Sequence, residues 1–464
     1  MTYELNEAAD VTLEAVRRVA WAGERVRLGR GALDAIGRRR TEFVAFVRAH
    51  AGDHLYGITT KHDVAAKTVL DDAARVEFGR VLPPTPPTTG APLPERVTRA
   101  AVLARLTDVL HGTAALRAET AERLTALLDG PLPAVPEGGN GDPGDVIALG
   151  RLLRPGLEGI LEVGEGMALI NGSPVAAAVL ADGVLLATDR LPRIERVLAL
   201  AAVAAGLPDM HVDAQLGVLW GDPHQARALA RFRELLDGGR WARRAYQAPV
   251  SFRSAPRVLG GVLRMLAHAQ EAAGTALGAA SNNPVYVGPD LRPPLGAVLS
   301  NGGYHDPLVA PTLDALAHAW ADLAQLVTAQ LNRLSDPPDG IAALETEPRT
   351  SLFPMTASGW AEQARAAAQP SLIGLGRSGQ TDTSTPDVLA WRRAVDAGVA
   401  LDALLGLLAV TAVHLVAHRG DTLPPALAGL GAAVLERFPV DTAPLDVGDA
   451  LAAVLDHLAT TVTG

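Results

Sequence analysis

The sequence predicts a mostly α protein, a bundle of long helices. Three observations point there: long stretches with apolar residues at three- and four-residue steps, a core chemistry of small and branched aliphatic side chains, and little of the alternation that marks strands. Hydrophobic residues make up 48% of the 464 while aromatics are only 4%. Ala, Leu and Val must therefore fill the core, and they favour close helix packing. No stretch reads as a free linker, so the chain is expected to form one large domain over residues 1–464. Within it, 1–190 is an N-terminal part, 191–420 a central helical bundle and 421–464 a short C-terminal part.

In chain order, Leu13 to Arg30 reads as a strand-like or helical entry, and Gly31 to His50 as a helix with Leu33, Ile36, Phe43 and Phe46 on its apolar face. Asp53 to Asp63 is a polar loop centred on Tyr56-Gly57. Pro83 to Pro94, rich in proline and threonine, is expected to run extended. Glu95 to Leu128 predicts two helices joined near Gly112 or Leu116. The glycine-rich turn Pro136 to Asp145 follows, and then a helix from Val146 to Leu153 with Asp145 expected to cap it. Asp222-Pro223 opens a helix that ends at Asp237-Gly238-Gly239. Val309 to Leu334 gives the clearest periodicity, and Thr385-Pro386 opens a last long helix that stops at Gly420. Its segment Ala397 to Ala417 is apolar enough to span a membrane, yet it contains Asp402 and His414. A buried central helix is the expectation, not a membrane span.

A net charge of -10 and a pI near 5.7 leave no basic patch to neutralise phosphates, which argues against nucleic acid and for small molecules as partners. With no cysteine the chain has no disulfide and no thiolate chemistry. The residues from Met1 to Asp10 lack a basic-then-apolar secretion pattern, so a cytoplasmic setting is expected. His414 and His418 lie on one helix face without a third ligand, and no metal is expected.

Several polar motifs follow one another in a telling order. They are Leu55-Tyr56-Gly57-Ile58-Thr59-Thr60, the glycine turn, Glu165-Gly166-Met167-Ala168-Leu169-Ile170-Asn171-Gly172, Gln247 to Pro256 with Arg253, Ser281-Asn282-Asn283-Pro284, Ser300-Asn301-Gly302-Gly303-Tyr304-His305, and Ser378-Gly379-Gln380-Thr381-Asp382-Thr383. This series resembles the aromatic amino acid ammonia lyases, the histidine and phenylalanine ammonia lyases, over about nine tenths of the chain. The resemblance implies a helical bundle of the ammonia lyase and fumarase type. It also implies a homotetramer whose active sites are each assembled from several chains.

Residue by residue, the resemblance makes Tyr56 the base that removes a proton from substrate Cβ. A phenol titrates near 10 in water, so such a base needs a cation or donors beside it. Asn171 would line the pocket, Gln247 would donate to the substrate, and Arg253 would hold its carboxylate through a bidentate guanidinium. Asn301 and Gln380 would complete the binding wall. The chain departs from the family at several points. Lys61, His62 and Asp63 replace Gly-Phe-Gly, and His62 is a candidate for binding an anionic group or moving a proton. Tyr304 replaces a phenylalanine and brings a new hydroxyl. Val250 replaces a pocket tyrosine, Thr381 replaces a glutamate, and the side-chain selector pair expected near Pro83 to Gly90 is absent, which makes histidine an unexpected substrate.

The largest departure is in the glycine turn. There the family carries Ala-Ser-Gly, which cyclises and dehydrates into the electrophile methylidene-imidazolone, MIO. Asp142, Pro143 and Gly144 stand in its place. Proline has neither a Cβ hydroxyl nor a backbone N–H. No cofactor is therefore expected, and Asp142 joins Tyr56 and Tyr304 as a candidate catalytic residue. The expected function is a MIO-independent lyase-like enzyme of specialised metabolism, not a canonical ammonia lyase, acting by tyrosine acid/base chemistry on a small carboxylate-bearing, amino-acid-derived substrate. Elimination, conjugate addition, cyclisation and isomerisation all stay open. The alternative is a catalytically inactive homologue that binds a ligand or a partner subunit.

Overall fold

The computed structural model describes residues 2–62, 65–82, 88–244, 246–336, 348–375, 379–440 and 445–460. Helices dominate: Arg30–Ala49, Glu95–Leu110, Val309–Ser335 and Asp387–Arg419 fall where periodicity put them, and the long helices Pro174–Ala204 and Ala255–Gly278 were not anticipated. Strand structure among the described residues is confined to short pairs. Thr2–Leu5 pairs in parallel with Arg25–Leu28, and Thr89–Pro92 lies antiparallel to Pro136–Gly138. Val285–Val287 and Gly374–Leu375 pair antiparallel with Ala297–Leu299 and Thr383–Ser384 respectively. Of the predicted Pro83 to Pro94 segment, residues 83–87 lie outside the described residues.

The chain divides into two compact units. The first comprises Met1–Leu185, Gln270–Leu313 and Ser371–Trp391. Its central helix, Glu95–Leu110, is buried on every side from Val97 to Val109, so its polar residues must be satisfied internally. Arg105 donates to Asp108 at 2.9 Å and to the Ala168 carbonyl at 3.1 Å. Asp108 in turn accepts the Ser281 and Asn282 backbone N–H groups at 2.6 and 3.2 Å. These bonds fasten the central helix to the Ser281-Asn282-Asn283 segment. A second anchor is Glu165, fully buried, which accepts the backbone N–H groups of Arg117 at 2.8 Å and Glu162 at 2.9 Å and pairs with the Arg117 guanidinium at 3.0 Å. It fixes the short helix Glu165–Ile170, whose end carries Asn171.

The second unit comprises Leu186–Ala269, Asp314–Pro370 and Arg392–Gly464. It explains the two ionisable residues inside the apolar run. Asp402 accepts two Arg190 donors at 3.0 Å, and the buried His414 ring meets the Phe438 carbonyl at 2.9 Å. Two helical stretches are apolar and long enough to cross a membrane, Glu165–Ala204 and Asp387–Arg419, and their most apolar windows are 94% and 89% buried within the protein. Core helices meet the same criterion.

Candidate active site

The loop around Tyr56 is held by its own backbone. The N–H groups of Ile58, Thr59 and Thr60 converge on the Leu55 carbonyl at 3.0 to 3.2 Å, and the Thr59 hydroxyl accepts the Leu55 N–H at 2.8 Å. Gly57 sits at φ 66, and a β-carbon there would lie 2.5 Å from Met167 Cγ. Only glycine lets the loop press so closely on the Glu165–Ile170 helix and present Tyr56 beside it.

The glycine-rich turn faces the same region. Gly144 and Asp145 are both left-handed, at φ 80 and φ 51, and for Asp145 that geometry carries strain. Asp145 was expected to cap the helix that follows it, and it does not. Its Oδ2 accepts Val175 N–H at 2.8 Å and Ala176 N–H at 3.2 Å, at the start of the helix Pro174–Ala204. The left-handed backbone turns the side chain away from its own helix, and Asp142 takes over: its Oδ2 accepts the Ile147 N–H at 2.8 Å in the first turn of Val146–Leu157. The Gly144 carbonyl accepts the Gly172 N–H at 3.0 Å, which ties the turn to the segment bearing Asn171.

These segments enclose a cavity of about 490 Å³ within the first unit. Tyr56, His62, Asp142, Asn171, Asn301, Tyr304 and Gln380 line it, and Ile147, Met167 and Ile170 add apolar wall. Asn283 holds the Asn301 side, its Oδ1 accepting Asn301 N–H at 2.9 Å and the Ser300 hydroxyl at 3.3 Å. Gln247 and Arg253 are not on this wall. Both belong to the second unit, Gln247 exposed and Arg253 half-buried at the end of the helix Val250–Arg253. Asp63, residues 83–87 of the selector region and Ser378 lie outside the described residues.

Carboxyl groups set the electrostatics. Burial pushes Asp142 up to about 6 against the opposing pull of the Ile147 N–H. Burial also raises Asp387 to about 7, with Asp306 adding repulsion while the Thr385 hydroxyl and the Ala310 N–H oppose it. Asp145 is raised well above the usual carboxylate range, by enclosure first and then by Asp387 and Asp142. Sequence reading missed Asp387, since an acid following proline at a helix start is ordinary. It also passed over Met167, Ile147 and Ile170, whose side chains look like core until the cavity is seen. Among the described residues no group of three or more His, Asp or Glu side chains is placed to hold a metal ion.

The sequence model of the family described as aromatic amino acid lyase matches residues 11–159 and 154–436. A histidine ammonia-lyase from Anaeromyxobacter dehalogenans is 30% identical over 382 residues, 72% of each chain. The chain belongs to the aromatic amino acid lyase family. This lyase-type enzyme has the fold of a phenylalanine aminomutase from Pantoea agglomerans, with a TM-score of 0.86 over 100% of this chain and 99% of that one at 17% identity. It is equally close to the ergothioneine-degrading enzyme of Treponema denticola, at a TM-score of 0.86 over 99% and 100% of the two chains and 17% identity.

Membership corrects the expectation that no cofactor belongs here. The family's homologues use MIO, so the comparisons point to that group and not to its absence. The residues of this lyase nonetheless fit it poorly. Pro143 supplies neither a hydroxyl to eliminate nor a backbone N–H to free, and the Asp142 carboxylate is engaged by Ile147.

Proposed function

We propose that the cavity performs lyase-like acid/base chemistry on a small amino-acid-derived substrate bearing a carboxylate. The observation that carries this reading is the meeting of Tyr56, Asn171, Asn301, Tyr304 and Gln380 around one cavity, although they come from four separate stretches of sequence. A purely structural role needs no such set of polar side chains around a cavity. The simplest step is elimination. The Tyr56 oxygen takes a proton from Cβ, the C–H electrons form the double bond, and the group on Cα leaves with its electron pair. Asn171 and Gln380 orient the substrate by hydrogen bonds, and Tyr304 supplies a second hydroxyl for proton transfer. The same groups suit the reverse addition, a cyclisation or an isomerisation.

Arg253 and Gln247 complete the site in this reading by entering from another copy of the chain in a homotetramer, where the guanidinium binds the substrate carboxylate. The cysteine-free composition supports a cytoplasmic setting. The test is to incubate the purified protein with a metabolite extract of its own source, follow all mass changes, and run Tyr56→Phe beside it. A species consumed by the wild type and spared by the variant is the expected result. Indistinguishable behaviour across well-covered extracts would remove Tyr56 from the mechanism.

A further inference from the structure

We infer that the first unit carries a second ligand site, which binds a doubly charged organic anion such as a phosphate monoester and, when filled, steadies the loop bearing Tyr56. The inference goes beyond the lyase-like reading and does not depend on it. Its basis is a pocket of about 490 Å³ formed by the helices Arg30–Ala49 and Asp72–Arg80 and the segment from Leu161 to Val163, with no lining residue in common with the cavity already described. Four arginines line it, Arg40, Arg48, Arg75 and Arg80, against two carboxylates, Asp72 and Glu162. Glu162 is already shared between Arg40 at 3.0 Å and Arg117 at 3.2 Å, and the Asp72 side chain is 93% exposed, so water screens it. A positive excess remains, in a chain whose net charge is -10.

Arg75 is what makes the pocket a built site. It is only 8% exposed, yet its contacts, to Asp72 at 3.1 Å and to the Leu70 and Ala51 carbonyls at 3.2 and 3.4 Å, all leave from Nη2. Its Nε and Nη1 have no partner among the described residues, and neither has the Nε of buried Arg40. Arg48 and Arg80, both exposed, form no side-chain hydrogen bond or ion pair among the described residues. Buried guanidinium donors without acceptors cost free energy until an acceptor arrives, and the oxygens of a phosphate match the guanidinium fork. Two unpaired arginines at the rim suit a second negative charge. Phe43, Val44, Val47 and Val163 supply an apolar wall, so the charged head is expected on an apolar body. The pocket is also preformed: a β-carbon on Gly79 would lie 3.0 Å from the Glu162 and Val163 backbone, and the Arg80 carbonyl accepts the Gly159 N–H at 3.1 Å. Arg75 carries the effect outward. The Ala51 and Leu70 carbonyls that it holds flank the loop bearing Tyr56, and the Leu70 N–H donates to the Thr59 carbonyl at 2.8 Å. An anion that fixes Arg75 therefore stabilises that loop.

Calorimetric titration of the full chain at pH 8 with phenyl phosphate, a dianion there, and with phenol and inorganic phosphate tests this. Phenyl phosphate should bind about tenfold more tightly than either, since phenol lacks the charge and inorganic phosphate the apolar body. Replacing Arg48→Gln and Arg80→Gln together removes two exposed guanidiniums and strands no buried partner; affinity for phenyl phosphate should fall about tenfold. Tyr56→Phe and Asp142→Asn, in the other cavity, should leave that affinity unchanged. Phenyl phosphate that fails to bind, that binds no better than phenol, or that binds the doubly substituted chain as well as the wild type overturns the site. Binding lost in Tyr56→Phe and Asp142→Asn would put the anion in the other cavity and overturn it equally. Amide hydrogen exchange at Ile58, Thr59 and Thr60 should slow when phenyl phosphate saturates the wild type and stay unchanged in the doubly substituted chain. Exchange that does not respond in the saturated wild type overturns the link to the loop. Turnover in the Tyr56→Phe comparison bears on none of these readouts, so the lyase-like reading and the anion site stand or fall separately.

Discussion

Gly144 and Asn171 are packed so closely that a β-carbon on Gly144 would stand 2.4 Å from Asn171 Oδ1. The glycine also holds φ 80 and receives the Gly172 N–H on its carbonyl. Gly144→Ala therefore meets two penalties at once, a left-handed backbone and a collision with a buried amide. The expected loss is about 1–3 kcal/mol, read as a lowered midpoint in denaturant. Because the collision displaces Asn171 from the cavity wall, ligand affinity should fall more than global stability does. A variant with wild-type midpoint and affinity would show that the turn relaxes freely.

The buried carboxyls give the protein a pH signature. Asp387 is raised from its ordinary 3.8 to about 7. The folded chain therefore holds a proton there that the unfolded chain has already released, and between these values stability falls as pH rises. The contribution is fully present below about 4 and lost by pH 8, for a total of about 4 kcal/mol. Asp142, raised to about 6, and Asp145 act in the same direction. Urea titrations of wild type and Asp387→Asn at pH 5 and pH 8 check this. The asparagine should flatten the difference between the two pH values and be the more stable protein at pH 8.

Glu165 links stability to the site. It accepts two backbone N–H groups and a guanidinium while fully buried, and the helix it anchors carries Met167, Ile170 and Asn171 into the cavity. Glu165→Ala strands these donors and should cost about 3 kcal/mol. Glu165→Gln, which keeps one acceptor oxygen, should cost less. Equal losses in the two variants would mean that packing, not hydrogen bonding, is what Glu165 provides.

The helices were legible because their driving force is periodic. Val309–Ser335 and Asp387–Arg419 start and stop within about two residues of the positions that apolar spacing and Thr385-Pro386 indicate. What stayed hidden was tertiary in cause. Asp145 sits one residue before a helix, yet it serves another that begins 29 positions later, at Pro174. Local capping rules describe a side chain that points along its own chain, and the left-handed backbone of Asp145 breaks that premise. Likewise Asp387 looks like a helix-start acid until burial, and then the neighbouring Asp306, make its charge costly. Nor could motif order tell that Gln247 and Arg253 belong to the second unit and the cavity to the first, since order is silent about which unit a motif joins.

That placement gives the last prediction. In the proposed oligomer Tyr56 and Arg253 reach one substrate from different chains, so Tyr56→Phe and Arg253→Ala should each abolish turnover alone yet repair each other when mixed. After the two variants are unfolded together and refolded, chance pairing should leave about one site in four with both native residues, and activity should return to that fraction of wild type. Refolding each variant separately before mixing should restore nothing while the assemblies stay intact. If the co-refolded mixture stayed as inactive as its components, Tyr56 and Arg253 would have to serve from the same chain or not at all. Arg253 would then be a structural residue of the Val250–Arg253 helix, and the carboxylate would need another anchor.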